Sequence, residues 1–176
     1  MTINEIKRVV LKNGDILLIP LSDSQAALGQ IVMLDLRPKA PLNPLLRVVK
    51  GIYDPNDIDV DKIDFTDELF PPVITGVGAA VKTRLWKKIG NKPVENFTYP
   101  KFIQSWYSEK NGEVSIWYLV DEAGSRPIGS KLPKEYMQLE YFVVWSPIDV
   151  VNRIKTGEIP FPYADLINHN KFTPRE

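Results

Sequence analysis

Gly14-Asp15-Ile16-Leu17-Leu18-Ile19-Pro20-Leu21, followed after a polar break by Ala27-Leu28-Gly29-Gln30-Ile31-Val32-Met33-Leu34, decides the fold class of this chain. The first run is too short for an amphipathic helix, is punctuated by Asn13-Gly14 and Pro20, and is apolar almost without interruption. That pattern describes a strand buried on both faces. Ser22-Asp23-Ser24 supplies the turn into the second strand. Gly29, early in that strand, marks a bulge or a close backbone approach. Small β-barrels often open with such a pair and serve as binding scaffolds, so recognition through a surface is expected ahead of catalysis.

Outward from this pair, further strands follow. Leu45 to Tyr53 reads as the third, after a loop from Arg37 to Pro44 whose three prolines exclude a helix or a central strand. Pro72 to Val77 is β-branched and reads as another strand, and Thr83 to Gly90 as a strand entering a turn. Phe102 to Tyr107 and Glu113 to Val120 flank Asn111-Gly112 and predict a hairpin. Tyr141 to Trp145 is a late strand. A helix follows over residues 147–156: Ser146 caps it, Pro147 occupies its first position, Asp149 sits in its first turn and Gly157 stands past its end. Its inward face is expected to carry Ile148, Val151 and Ile154. The tail from Glu158 to Glu176 is proline-rich, with Pro160, Pro162, Pro174 and the single histidine, His169.

The expected architecture is therefore β-rich α+β: one domain over residues 1–176, an antiparallel twisted sheet with a barrel-like amino-terminal half, and the 147–156 helix packed on it. Composition agrees. The 176 residues suffice for a real core, and 15 prolines against ten glycines favour turns over long helices. Lys plus Arg equals Asp plus Glu at 22 each, so neither nucleic acid nor an anionic membrane is globally attracted. The absence of cysteine removes disulfides, thiolate metal clusters and thiol nucleophiles. No apolar signal core follows Met1, and no stretch approaches the length that spans a bilayer, so a cytoplasmic protein is expected.

Charge is nevertheless unevenly divided. Asp54, Asp57, Asp59, Asp61, Asp64, Asp67 and Glu68 stand against Lys62 alone, a net of six negative charges, and the balanced remainder carries a net six positive. Three readings compete for this acidic loop or insertion over residues 54–68. It can be a solvated edge that suppresses edge-to-edge pairing. It can be a calcium loop, because Asp57, Asp59, Asp61 and Glu68 fall at positions one, three, five and twelve; Lys62 then stands where glycine belongs and Asp64 where an apolar residue is usual. It can also be a docking surface for a basic protein.

Catalytic constellations are thin, and no catalytic residue, metal ligand or cofactor is assigned. His169 lies in the tail without a nucleophile elbow, and Gly76-Val77-Gly78 is too little for a dinucleotide site. Trp86, Trp106, Trp117 and Trp145, with Tyr107, Tyr118 and Tyr141, lie in or beside strands; most are expected in the core or partly buried in the sheet, and one or two on an exposed face would be interface anchors. Trp106 and Tyr107 are adjacent, so one is expected inside and the other available as an interface anchor. The candidate partner-binding residues are the seven carboxylates with Trp106 and Tyr107.

Several of these segments resemble one family. Gly14-Asp15-Ile16, Ile19-Pro20-Leu21, Ala27, Gly29-Gln30-Ile31-Val32, Trp86-Lys87, Ile89-Gly90-Asn91, Pro93-Val94, Pro100 and Phe102 are similar to the bacterial polymorphic-toxin immunity proteins of family twenty-six, over about residues 12 to 120. Ala27-Leu28 departs from that pattern where an aromatic is common. The resemblance implies a stoichiometric inhibitor that binds a toxin encoded beside it, and the acidic segment suits a toxin with a basic surface. The opening also looks similar to small barrels of RNA-binding and endoribonuclease proteins, for which Arg47, Arg84 and Arg126 are the candidate phosphate ligands. A calcium-dependent adaptor is a third reading.

Overall fold

A computed structural model of the chain describes residues 10–34 and 44–174. Most of the proline loop expected between Arg37 and Pro44 lies outside the described residues, as do the amino-terminal residues 1–9 and the last two of the tail. Among the described residues, nine strands form two sheets, accompanied by three α-helices and two short 3-10 turns.

The first sheet contains β1 (Asp15–Pro20), β2 (Ala26–Met33), β3 (Leu45–Val49), β4 (Glu68–Ile74) and β5 (Lys87–Asn91), in the order β4-β3-β2-β1-β5. All of its neighbours are antiparallel. The sheet is open, with β4 and β5 as its edges, so the barrel-like half is curved sheet without closure. The unbroken apolar run of β1 is used on both faces. Leu17 and Ile19 enter the main core with Leu46 and Val48, while Ile16 and Leu18 pack on the reverse face with Leu28, Val49 and Phe65. Gly29 marks a close approach: a Cβ there would lie 2.9 Å from Leu46 Cδ1.

The second sheet is formed by β6 (Phe102–Tyr107), β7 (Val114–Asp121), β8 (Gly124–Gly129) and β9 (Glu140–Tyr141), in the order β8-β7-β6-β9. The predicted hairpin is β6–β7, with Gly112 at φ +74° in its turn. The short β9 runs parallel to β6, so the second sheet is mixed. Val143 N–H bonds back to the Tyr141 carbonyl and ends the strand expected to reach Trp145. Trp145 instead bridges to Thr75 of the first sheet, where its backbone N–H donates to Ile74 O at 2.8 Å.

Other expectations also need correction. The third strand stops at Val49, before Gly51 at φ +113°, and Tyr53 rejoins the sheet as a bridge to Ala26. β4 begins at Glu68 and contains Pro71 and Pro72, which an edge strand tolerates because the missing N–H has no ladder partner there. Val77 belongs to α1 (Val77–Lys82), a helical turn that buries Val77 and Ala80. α2 (Pro147–Thr156) has the predicted bounds and cap, Ser146 Oγ accepting from Asp149 N–H at 3.1 Å. Its buried residues are Val150 and Arg153, flanked by half-buried Val151 and Ile154, whereas Ile148 is exposed. The pattern shifts because Arg153 forms a buried bidentate pair with Glu140, and a paired arginine can occupy an inward position. The tail holds α3 (Tyr163–His169), which buries Leu166 and Ile167 in the main core.

Candidate functional site

The acidic segment is an ordered strap. Ile58, Val60, Ile63 and Phe65, interleaved with the carboxylates, pack on the reverse face of the first sheet against Ile16, Leu18, Leu28 and Val49. Burying these side chains ties the strap down and turns the carboxylates outward. Asp54 accepts from Asn56 N–H at 2.9 Å, Asp59 accepts from Asp61 N–H at 3.2 Å, and Asp64 accepts from Thr66 N–H and its hydroxyl. These contacts close Asx turns. The Thr66 hydrogen bonds hold the Asp64 carboxyl below its ordinary value. Asp59 also pairs with Lys62, Asp67 with Lys50 and Glu68 with Arg47. Among the described residues, the side chains of Asp57 and Asp61 have no such partner. No group of three or more acidic or histidine side chains suited to a metal occurs among the described residues.

Arg47 fixes the strap to its neighbour. Its side chain is 1% exposed and donates to Glu68 Oε1, to the carbonyls of Phe65 and Glu95 at 3.1 Å each, and to Asn96 O at 3.3 Å. Lys92 Nζ adds a bond to Ile63 O at 3.1 Å, and Gln30 Nε2 reaches back to Lys92 O at 3.0 Å. Segment 92–99 therefore lies beside the strap. Its far end, Val94, Phe97 and Tyr99, packs with Phe102 and Val120 of the second sheet. Segment 92–99 thus links the strap to the Phe102 half of the second sheet's outer face.

On that outer face, Trp106 is 64% exposed and its ring lies 5.9 Å from that of Tyr118. Ser115 is the extra residue of a bulge, because Trp106 pairs with Ile116 and Tyr107 with Val114. Trp106 and Tyr107 point to opposite faces as expected, yet neither is buried. Tyr107, 38% exposed, turns toward the core side at the end of the sheet and stacks on Phe172 at 4.4 Å. A shallow groove of about 590 Å³ runs beside that stack, between the hairpin turn and residues 171–174. Trp86, Trp117 and Trp145 are core residues as expected.

Of the arginines considered for phosphate binding, two are engaged elsewhere and Arg84 is exposed. Arg47 is enclosed by the strap, Arg126 on β8 pairs with Asp121 at 2.6 Å, and Arg84 lies in the turn after α1 at φ +61°. His169 is exposed on α3. No helix of the described chain is long and apolar enough to cross a membrane.

The family model of immunity protein 26 matches residues 12–111, from just before β1 to the turn of the β6–β7 hairpin. The chain belongs to the immunity protein 26 family. No curated protein and no solved structure matches it. The family match takes in the whole strap, Arg47, Trp106 and Tyr107, and stops before Ile116 and Tyr118. In this immunity protein 26 chain three of the four sheet edges are poor templates for an added strand. β4 carries Pro71 and Pro72, β5 carries Lys87 and Lys88, and β8 carries Pro127 between two glycines. Sequence reasoning missed Ile116 and Tyr118 as members of the exposed face; their alternation with buried Trp117 and Leu119 is the signal that marks them.

Proposed function

We propose that this chain is a stoichiometric inhibitor that binds and neutralises a bacterial toxin domain in the cytoplasm, without catalysis, and that the toxin presents a basic surface. Membership of the immunity protein 26 family carries this reading. The strap supports the choice of partner: it holds Asp54, Asp57, Asp59, Asp61, Asp64 and Asp67 exposed on a fixed backbone, so clustered negative charge is preorganised for a cationic surface. The same charge disfavours nucleic acid.

The test is co-purification with the toxin domain encoded beside this chain, followed by assay of that toxin. The expected result is an equimolar complex that survives moderate salt, with toxin activity lost at one equivalent. A well-folded adjacent toxin that is neither retained nor inhibited overturns the reading. Within the complex, changing Asp57, Asp59, Asp61 and Asp64 together to Asn should slow association and flatten its salt dependence, because Asn can keep the turn contacts of Asp59 and Asp64 while removing all four charges. Equal association rates at low ionic strength would take the strap out of the interface.

A further inference from the structure

We propose that Trp106, Ile116 and Tyr118, on the outer face of the β6–β7 hairpin, are the anchor of the toxin contact, with the acidic strap as its charged flank. The occupant is a protein with an apolar site bordered by Lys and Arg. The inference rests on the immunity reading above and adds which face does the binding.

The outer face of the second sheet is divided. Its half at Phe102 and Val120 is covered by Val94, Phe97, Tyr99 and Phe142. Its other half, at Trp106, Ile116 and Tyr118, has Trp106 turned 64% to solvent. A tryptophan so exposed on a regular strand is costly in water and is the residue type that most often dominates a protein contact. It is also held in place. The bulge at Ser115 lets that hydroxyl donate to the Trp106 carbonyl at 3.1 Å, and the Tyr118 ring flanks the indole at 5.9 Å. The fixed backbone and the flanking ring lower the ordering cost of docking without removing it.

Charge selects the occupant. Segment 92–99 links this face to the strap through Arg47 and Phe102, so the apolar anchor is joined to seven strap carboxylates that Arg47, Lys50, Lys62 and Lys92 offset only in part. A cationic protein with an apolar centre complements both, whereas a nucleic acid is repelled by the strap. The proline and lysine residues on β4, β5 and β8 direct binding away from those three sheet edges.

The experiment measures binding of the purified adjacent toxin domain to the parent chain, to Trp106→Ala, to Trp106→Arg and to Ile148→Ser, an exposed apolar control on α2. Hydrogen exchange is followed in the complex. The expected result is an affinity loss of about 30-fold or more for Trp106→Ala, carried mainly by faster dissociation. A larger loss is expected for Trp106→Arg, which sets like charge against the partner. Ile148→Ser should bind as the parent does, and amides of residues 104–107 and 115–118 should gain protection. Both Trp106 variants binding within twofold of the parent, while the parent still neutralises the toxin, overturns the inference and leaves the immunity reading standing. Failure of the parent itself to bind overturns the immunity reading and this inference with it. Self-association of the free chain that Trp106→Arg abolishes, with toxin binding intact, assigns the face to a second copy and also overturns it.

Discussion

Arg47 Nε lies 2.9 Å from Glu68 Oε1, and the pair joins a guanidinium 1% exposed to a carboxylate 32% exposed. Three of the four remaining Arg47 donors go to carbonyls from two separate segments, Phe65 of the strap and Glu95 and Asn96 beyond β5. The side chain therefore acts as a clamp more than as half of an ion pair.

That asymmetry makes a prediction. Arg47→Met orphans three carbonyls and is expected to cost about 3–5 kcal/mol of stability. Glu68→Gln gives up a partly solvated charge and should cost about 1 kcal/mol or less. Urea unfolding of both variants decides it, and equal losses would show the ion pair, not the carbonyl clamp, to dominate.

Asp15 sets an acid limb in stability. It is fully buried; burial pushes its carboxyl up, but hydrogen bonds from Lys88, Asn91 and the Lys12 N–H together outweigh this and hold it below its ordinary value of 3.8. Between its folded value and 3.8 the unfolded chain binds more protons, so the stabilisation is complete above 3.8 and is lost as pH falls through the folded value. Glu140 acts oppositely. Burial pushes its carboxyl above 4.5 despite Arg153, so its titration removes stability as pH rises. Asp15→Asn is expected to be less stable than the parent by about 1–3 kcal/mol at pH 7, with the gap closing toward pH 3. Denaturant midpoints at the two pH values measure it, and a gap that stays constant would remove Asp15 from the acid response.

How far this was legible in the sequence follows from where each signal resides. β1 and α2 could be read because their determinants are local: an uninterrupted apolar run in one, and Ser146, Pro147 and Gly157 at fixed offsets in the other. The inward position of Arg153 could not, because its partner Glu140 lies on another element. Tyr107 could be assigned a face by alternation but not its exposure, which depends on a bulge at Ser115 and on Phe172 arriving from the tail. That the acidic segment is a packed strap was not legible, because its acids concealed Ile58, Val60, Ile63 and Phe65, whose irregular spacing matches neither strand nor helix. Pro71 and Pro72 read as a boundary because edge position, unlike proline itself, is a property of the sheet.

Gly29 tests the packing of the first sheet. A methyl group there meets Leu46 Cδ1 at 2.9 Å and Ile19 Cδ1 at 3.3 Å, inside the main core. Gly29→Ala is expected to cost about 1–3 kcal/mol by overpacking. Leu46→Val removes the nearer atom, so the double variant should be more stable than the two single losses sum to. Additive losses in a double-mutant cycle would show that the cost of the methyl group arises elsewhere.

Asn170 fastens the tail to the hairpin that carries Trp106. Its Oδ1 accepts the Trp117 indole N–H at 2.7 Å, its Nδ2 donates to Ser130 O at 3.2 Å, and its carbonyl accepts from Val114 N–H. The residue also ends α3 at φ +54°, a left-handed conformation that Asn tolerates better than Ala. Asn170→Ala therefore loses a side-chain contact and gains backbone strain, whereas Asn170→Gly loses the contact alone. Orphaning the indole donor, on a tryptophan that is 0% exposed, is expected to cost about 1–3 kcal/mol in both variants. The alanine variant should be worse by a further ~1 kcal/mol. Equilibrium unfolding of the pair separates the two contributions. If glycine restored parental stability, the contact would be negligible and the backbone conformation would account for the whole role of Asn170.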